Sequence, residues 1–72
     1  MNDKEKHVLL HALGQTGYRN HFVAGEGHSD HKTCLDLVKQ GLMISSSISW
    51  IPDKVFHVTP KGQDAIGIKY KD

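Results

Sequence analysis

Apolar residues recur along the chain in short runs that are separated by glycine, proline and polar turns. The first run follows Asn2 and Glu5, whose spacing of three is that of a helix-capping box. Gly14 follows the run and suits the left-handed residue that ends many helices. We therefore predict a helix over residues 3–13, with an apolar face formed by Val8, Leu9, Leu10, Ala12 and Leu13.

Residues 15–27 have no clear period. Their large apolar side chains are Tyr18, Phe22 and Val23, a spacing that suits neither a full helix nor a regular strand. Two glycines near the end of the segment predict a loop. We expect a short helical turn or a short strand near residues 18–23.

A second helix is predicted over residues 30–40. Ser29 or Asp30 can cap its first turn. Gly41 suits its left-handed end, and Leu42 suits the apolar contact of a Schellman motif. The apolar face of this helix consists of Cys34, Leu35, Leu37, Val38 and Leu42.

The next segments predict a β-hairpin. Residues 43–50 contain no helix breaker and read as a strand that includes Ile44 and Ile48 and turns its serines to solvent. Pro52–Lys54 reads as the turn. Residues 55–59 read as the second strand, with Phe56 and Val58 on one face.

The last predicted helix begins after Thr59, whose hydroxyl can cap it. Pro60 suits the first helical position, because the N–H that proline lacks would have no helical partner there. Ala65 and Ile66 would dock this helix on the domain, and Gly67 predicts an early end.

These elements predict one α+β domain over residues 1–72. The order is helix, irregular segment, helix, hairpin and helix. The core is predicted to contain Val8, Leu9, Leu10, Leu13, Phe22, Leu35, Leu37, Val38, Leu42, Ile44, Phe56, Val58, Ala65 and Ile66.

The second half of the chain resembles winged-helix proteins. The resemblance lies in Leu37–Met43, which reads as a helix ending in a Gly-Leu turn, and in Val58–Gly62, which reads Val-Thr-Pro-Lys-Gly. It implies a winged-helix-like fold in which the hairpin is the wing. The helix that would precede the reading helix in such a domain is absent or eroded in this sequence.

The whole chain also resembles a family of small phage- and prophage-encoded proteins that has no assigned molecular function. The resemblance implies a phage or prophage setting and carries over no catalytic residue. The matching segments are Tyr18–Phe22, Gly25–Gly27, Asp30, Leu37–Met43 and Phe56–Thr59.

Composition limits the function classes. Nine Lys and Arg residues against eight Asp and Glu residues give a formal charge of +1, which is no polyanion-binding signature. A single cysteine cannot form an internal disulfide and is typical of a reducing compartment. No apolar run has the length of a membrane span, and no signal peptide is visible. We therefore expect a soluble protein in the cytoplasm of the host cell, without a membrane partner.

Histidines and the cysteine raise the question of a metal site. His21, His28, His31 and Cys34 are zinc-type ligands, but their spacing matches no four-ligand zinc motif. His7 and His11 lie one helical turn apart without the glutamate of a zinc protease motif. We predict no metal and no cofactor.

No enzymatic constellation stands out either. Cys34 has His31 one helical turn away, but no third group that would orient a base can be identified. A core cysteine is the favoured interpretation, and we predict a protein that is not an enzyme. Arg19 is the one arginine and has two interpretations: an ion pair with Glu26 or Asp36, or a contact to a partner's phosphate or carboxylate.

The charge of the second predicted helix favours a protein over DNA as the partner. The helix that would read DNA carries Asp30, Lys32, Asp36 and Lys39 and is neutral, whereas phosphate neutralisation supplies most non-specific DNA affinity. We therefore expect a protein-interaction module and keep a winged-helix DNA-binding or regulatory protein as the alternative. Self-association through an open strand edge is left open.

The candidate binding residues lie in two places. The loop ahead of the second helix contributes Tyr18, Arg19 and His28. The predicted hairpin tip contributes Trp50, Ile51 and Lys54, where large apolar groups at an exposed tip would be typical binding anchors.

Overall fold

The computed structural model describes residues 2–25, 27–48 and 51–71, without the side chains of residues 46–48 and 51–54. Its elements are α1 (Asp3–Ala12), β1 (Phe22–Val23), α2 (His31–Lys39), β2 (Met43–Ile48), β3 (Ile51–Val58) and α3 (Pro60–Ile66). Across these ranges the chain forms a small α+β domain with one antiparallel sheet in the order β1-β3-β2. The predicted α+β class is confirmed at this level.

Helix α1 begins where its capping signal predicts. The Asn2 side chain accepts from the Glu5 N–H at 2.8 Å, and the Glu5 carboxylate accepts from the Asn2 N–H at 3.0 Å. Gly14 is left-handed just past the helix, with φ of +64°. Both predicted end signals of this helix are confirmed.

Helix α2 ends in the predicted Schellman motif. The Leu42 N–H donates to the Leu37 carbonyl at 2.9 Å, and the Gly41 N–H donates to the Val38 carbonyl at 3.0 Å. At the other end, Asp30 occupies the predicted cap position, but its side chain does not make the hydrogen bond expected of a cap.

The register of the hairpin corrects the predicted position of Ile44. Met43 pairs with Val58 and Ile44 pairs with His57, so Met43 shares the inner face and Ile44 the outer one. Ile44 is 55% exposed, which makes its predicted core position wrong.

The turn predicted at Pro52–Lys54 is also wrong. Strand β3 already begins at Ile51, and Ile51 pairs with Ile48. Residues 52–54 therefore lie within the second strand rather than in a turn.

Helix α3 begins with the predicted threonine cap, where Thr59 Oγ1 accepts from the Gly62 N–H at 3.1 Å. Its inward face is marked by Gly62, which is buried, and by Ile66 one turn later. Ala65 lies one position off that face and is exposed, so its predicted core position is wrong.

The core lies between the three helices and the inner face of the sheet. Four residues predicted for it (Leu35, Val38, Ile66 and Leu10) are only half-buried. Four residues outside the predicted core list, Ala12, Ala24, Cys34 and Met43, are fully buried or nearly so. The buried cluster is Val8, Leu9, Ala12, Leu13, Phe22, Ala24, Cys34, Leu37, Leu42, Met43, Phe56 and Val58.

None of the helices in the described ranges is long and apolar enough to cross a membrane.

Candidate functional site

A cleft opens between α1, the loop that follows it and the segment that leads into α2. Its volume is about 330 Å³, which is within the usual size range of ligand-binding clefts. We call it the histidine cleft. Its lining residues are His7, His11, Arg19, His21, Phe22, Val23, His28 and Asp30.

Helix α1 forms one wall of the cleft, because of the direction in which its exposed face points. Its buried face carries Val8, Leu9 and Ala12, which leaves His7 and His11 on an exposed face one turn apart. Their ring centroids are 6.1 Å from each other. Each turn of this wall therefore presents one imidazole to the cleft.

Phe22 of β1 forms the apolar floor. The His11 ring meets it edge-on with centroids 5.5 Å apart, and the His28 ring meets it in the same way at 6.4 Å. Because Phe22 itself is buried, its ring fixes where these two imidazoles lie. Val23, next to it, is 52% exposed and extends the apolar surface.

Asn20 holds the loop to the sheet. Its side-chain oxygen accepts from the Val58 N–H at 2.7 Å, and its side-chain nitrogen donates to the Val58 carbonyl at 3.0 Å. The His57 ring donates from Nδ1 to the Asn20 carbonyl at 2.6 Å, which fixes its tautomer because a carbonyl can only accept. These bonds place Arg19 and His21, on either side of Asn20, at the cleft.

Arg19 joins the loop to the end of α1. Its Nη2 donates to the His11 carbonyl at 2.9 Å, and its guanidinium carbon lies 5.6 Å from the centre of the Tyr18 ring. The predicted ion pair with Asp36 is wrong, since the ion pairs found in the described residues do not involve Arg19. The other predicted partner, Glu26, lies outside the described residues.

The Nε atom of Arg19 is buried and has no hydrogen-bond acceptor among the described residues. Buried guanidinium N–H groups normally have an acceptor, because an unpaired one costs free energy. The donor capacity of this atom is therefore unused within the described part of the chain.

A hydrogen bond from the backbone fixes the tautomer of neutral His28. The Asp30 N–H donates to its Nδ1 at 3.0 Å, which requires a lone pair on that nitrogen. In neutral His28 the ring proton therefore lies on Nε2, which becomes a hydrogen-bond donor at the cleft.

Asp30 is the acidic group of the cleft. Its carboxylate lies 3.8 Å from Lys4 Nζ, which offsets part of its negative charge. The Lys4 ammonium also donates to the Ser29 carbonyl at 3.3 Å, so α1 and the start of α2 are tied together here. Among the described residues, the fixed charges at the cleft are therefore Arg19, Asp30 and the adjacent Lys4.

Three of the six predicted binding residues come together at this place. Arg19 and His28 line the cleft, and Tyr18 lies against Arg19 with 64% of its surface exposed. Trp50 lies outside the described residues, and so do the side chains of Ile51 and Lys54.

The cleft also contains residues that were not predicted as binding residues. The spacing of His7 and His11 was visible, and so was the histidine content of the later loop. What no local pattern could show is that the loop folds back on α1, where Arg19 donates to the His11 carbonyl and the His21 N–H to the Ala12 carbonyl, and brings the two groups to one cleft.

The metal and thiol interpretations gain no geometric support. Among the described residues, no three His, Cys, Asp or Glu side chains are arranged to hold a metal ion. Cys34 is fully buried, and burial, with a smaller effect of Asp30, raises the pKa of its thiol to about 11. At neutral pH this cysteine is a protonated core residue rather than a nucleophile.

Comparison of the chain with models of protein families, with curated proteins and with solved structures found no match.

Proposed function

We propose that the protein is a small, non-enzymatic binding module that contacts a protein partner through the histidine cleft and the adjacent Tyr18. Its setting in this proposal is the cytoplasm of a host cell that carries a phage or prophage. The setting is supported by the sequence resemblance alone.

The observation that carries the proposal is the combination of Tyr18 and Arg19 at the rim of the cleft. Tyr18 is the most exposed of the large hydrophobic side chains in the described part of the chain, at 64%. Tyrosine and arginine are enriched among residues that dominate the energy of protein interfaces. Here the guanidinium carbon lies 5.6 Å from the centre of the tyrosine ring, a cation–π distance, so the two side chains form one surface.

Of the two surfaces expected from the sequence, the described residues support the Tyr18–His28 loop. The hairpin tip with Trp50, Ile51 and Lys54 stays a prediction. Self-association at the cleft is a special case of the same proposal, in which the partner is a second copy of the chain.

Photo-crosslinking tests the proposal. A photoreactive phenylalanine analogue replaces Tyr18 in one variant and Lys61, an exposed α3 residue outside the cleft, in a control variant. Both are irradiated in nuclease-treated host lysate. We expect a discrete protein adduct from position 18, reduced when Arg19→Ala is added, and none from position 61. The absence of an adduct at position 18, or equal adducts at both positions, would contradict the proposal.

The alternative is a winged-helix DNA-binding protein. It is supported by the connection of α2 through a glycine turn to the hairpin, and by a sheet in which the second hairpin strand pairs with β1. The exposed side chains of α2 weaken it, because Lys32 and Lys39 face solvent together with Asp36. An evenly charged helix supplies little phosphate neutralisation.

A further inference from the structure

Arg19 is the main hydrogen-bond donor of the histidine cleft. A guanidinium offers five N–H groups and no acceptor. One nitrogen of Arg19 donates to the His11 carbonyl, and the buried Nε has no acceptor among the described residues. The side chain thus retains donor capacity that its described surroundings leave unused.

His28 adds a second donor at the same cleft. Its Nδ1 is occupied by the Asp30 N–H, so the ring proton of the neutral form lies on Nε2. A ligand that satisfies both Arg19 and His28 must therefore present acceptor atoms. A carboxylate has two acceptor oxygens, and its planar geometry matches the guanidinium fork.

The charge of the cleft favours a single carboxylate over a phosphate chain. Asp30 faces the cleft and would repel a polyanion, and Lys4 at 3.8 Å offsets only part of that repulsion. Among the described residues that line the cleft, Arg19 is the one permanent cation.

The apolar part of the cleft sets a second requirement for the ligand. The Phe22 ring and the exposed Val23 side chain lie next to these donors. Water-exposed apolar surface beside a charged donor suits a chain segment in which an acidic residue neighbours an aliphatic one. A free inorganic anion would leave that surface uncovered.

We propose that the histidine cleft binds a carboxylate-bearing, partly apolar segment of the protein partner, with Arg19 and His28 as its donors. This inference rests on the proposed function and names the chemistry of the partner at the same site. The carboxylate is supplied either by an acidic side chain or by a chain terminus, since both present the same group.

Nuclear magnetic resonance titration of the ¹⁵N-labelled full chain tests this proposal with defined probes. One blocked probe peptide, acetyl-Leu-Glu-Leu-Glu-Leu-amide, carries side-chain carboxylates. A second, acetyl-Leu-Gln-Leu-Gln-Leu with a free C-terminus, carries only the terminal one. The amide form of the second peptide and inorganic phosphate are the controls. The signals to follow are the Arg19 Nε–H and the His28 ring.

We expect saturable shifts of both signals with at least one carboxylate peptide, and the stronger of the two identifies the source of the carboxylate. Arg19→Lys should weaken this binding about tenfold or more, because lysine keeps the charge but lacks the fork. Lys32→Gln, which removes a cation from α2 outside the cleft, should leave it nearly unchanged. The dispersion of the backbone amide signals confirms that each variant is folded.

Three results would overturn the proposal. These are no saturable shift with either carboxylate peptide, equal binding of the uncharged control peptide, and tighter binding of phosphate than of either peptide. A Glu26→Gln variant separates an internal carboxylate from an external one: if that change alone moves the Arg19 Nε–H signal, the chain's own carboxylate fills the site. Failure of the peptide titration together with a position-18 adduct would remove the carboxylate assignment and leave the protein-partner proposal standing.

Discussion

Arg19 combines a structural contact with unused donor capacity. Its bond to the His11 carbonyl and its position beside the Tyr18 ring both depend on the planar guanidinium. We predict that Arg19→Lys lowers the free energy of unfolding by roughly 0.5–1.5 kcal/mol, the usual value of one hydrogen bond. Thermal denaturation should show a melting temperature several degrees lower, whereas Lys32→Arg on α2 should show no change. An unchanged melting temperature for Arg19→Lys would remove the structural role.

Cys34 makes stability depend on pH in the alkaline range. Burial raises the pKa of its thiol from 9.0 to about 11, so the folded chain keeps a proton that the unfolded chain loses first. The stabilisation is complete below about pH 9 and is lost as the pH rises to about 11, by on the order of 2 kcal/mol. Urea denaturation at pH 8 and pH 11 should show this difference in the wild type and a smaller one in Cys34→Ala. Equal losses in the two proteins would contradict the raised pKa.

Gly62 allows α3 to pack closely on the turn after α2. A Cβ at this position would lie 2.2 Å from the Leu42 carbonyl oxygen and 2.8 Å from Val58 Cγ1. Helix propensity alone predicts that Gly62→Ala stabilises the protein by about 1 kcal/mol. We predict the opposite sign, a loss of roughly 1–3 kcal/mol, because a backbone atom must move. Chemical denaturation decides between them, and a gain in stability would refute the close approach.

At the scale of elements, Thr59 joins three of them. Its hydroxyl accepts from the Gly62 N–H at the start of α3 and donates to the Gly41 carbonyl at 2.6 Å, between α2 and β2. We predict that Thr59→Val, which keeps the shape, costs about 1–2 kcal/mol, the usual value of a lost helix cap. Thr59→Ser should retain most of the stability in the same denaturation experiment. A loss of stability for Thr59→Ser with none for Thr59→Val would show that the methyl group, and not the hydroxyl, matters.

Element ends were predictable because their signals are local. The Asn2–Glu5 box, the Gly41–Leu42 turn and the Thr59 cap each satisfy backbone groups within a few residues, so composition and spacing suffice. These signals gave the bounds of all three helices within about two residues, the usual uncertainty of helix ends.

The face of each element on which a side chain lies was predicted less well, because it depends on contacts with residues that are distant in the sequence. Ile44 points outward because the hairpin register places Met43 opposite Val58, and a shift of one residue reverses every face. Ala65 is exposed because the close contact of Gly62 sets the phase of α3. Neither the strand pairing nor the close contact of Gly62 can be read from the residues next to Ile44 or Ala65 in the sequence.

For the whole molecule, the histidine cleft is a product of chain folding rather than of a motif. Helix α1 brings His7 and His11, while the later loop brings Arg19 and His28, and Asn20 connects that loop to β3. Sequence reasoning found Arg19 and His28 as binding candidates by residue type. It could not place their loop in the fold, because the bonds that hold Asn20 to Val58 span 38 positions of the chain.

The balance of charge over the whole molecule supports a protein partner over DNA. The chain carries a formal charge of +1, and the exposed lysines of α2 are accompanied by Asp36. A protein that neutralises several phosphates shows a steep loss of DNA affinity with salt, whereas this chain offers few cations on the surface that would face DNA. A measurement of the affinity for DNA can therefore decide between DNA and protein as the partner.

The most direct test of this claim is a salt titration of binding to arbitrary duplex DNA, read by fluorescence anisotropy of a labelled duplex. The account predicts a dissociation constant weaker than about 1 µM even at low salt, and little change for the variant with Lys32→Gln and Lys39→Gln. Submicromolar affinity with a steep salt dependence, lost in that variant, would contradict a protein partner and establish α2 as a DNA-contacting helix.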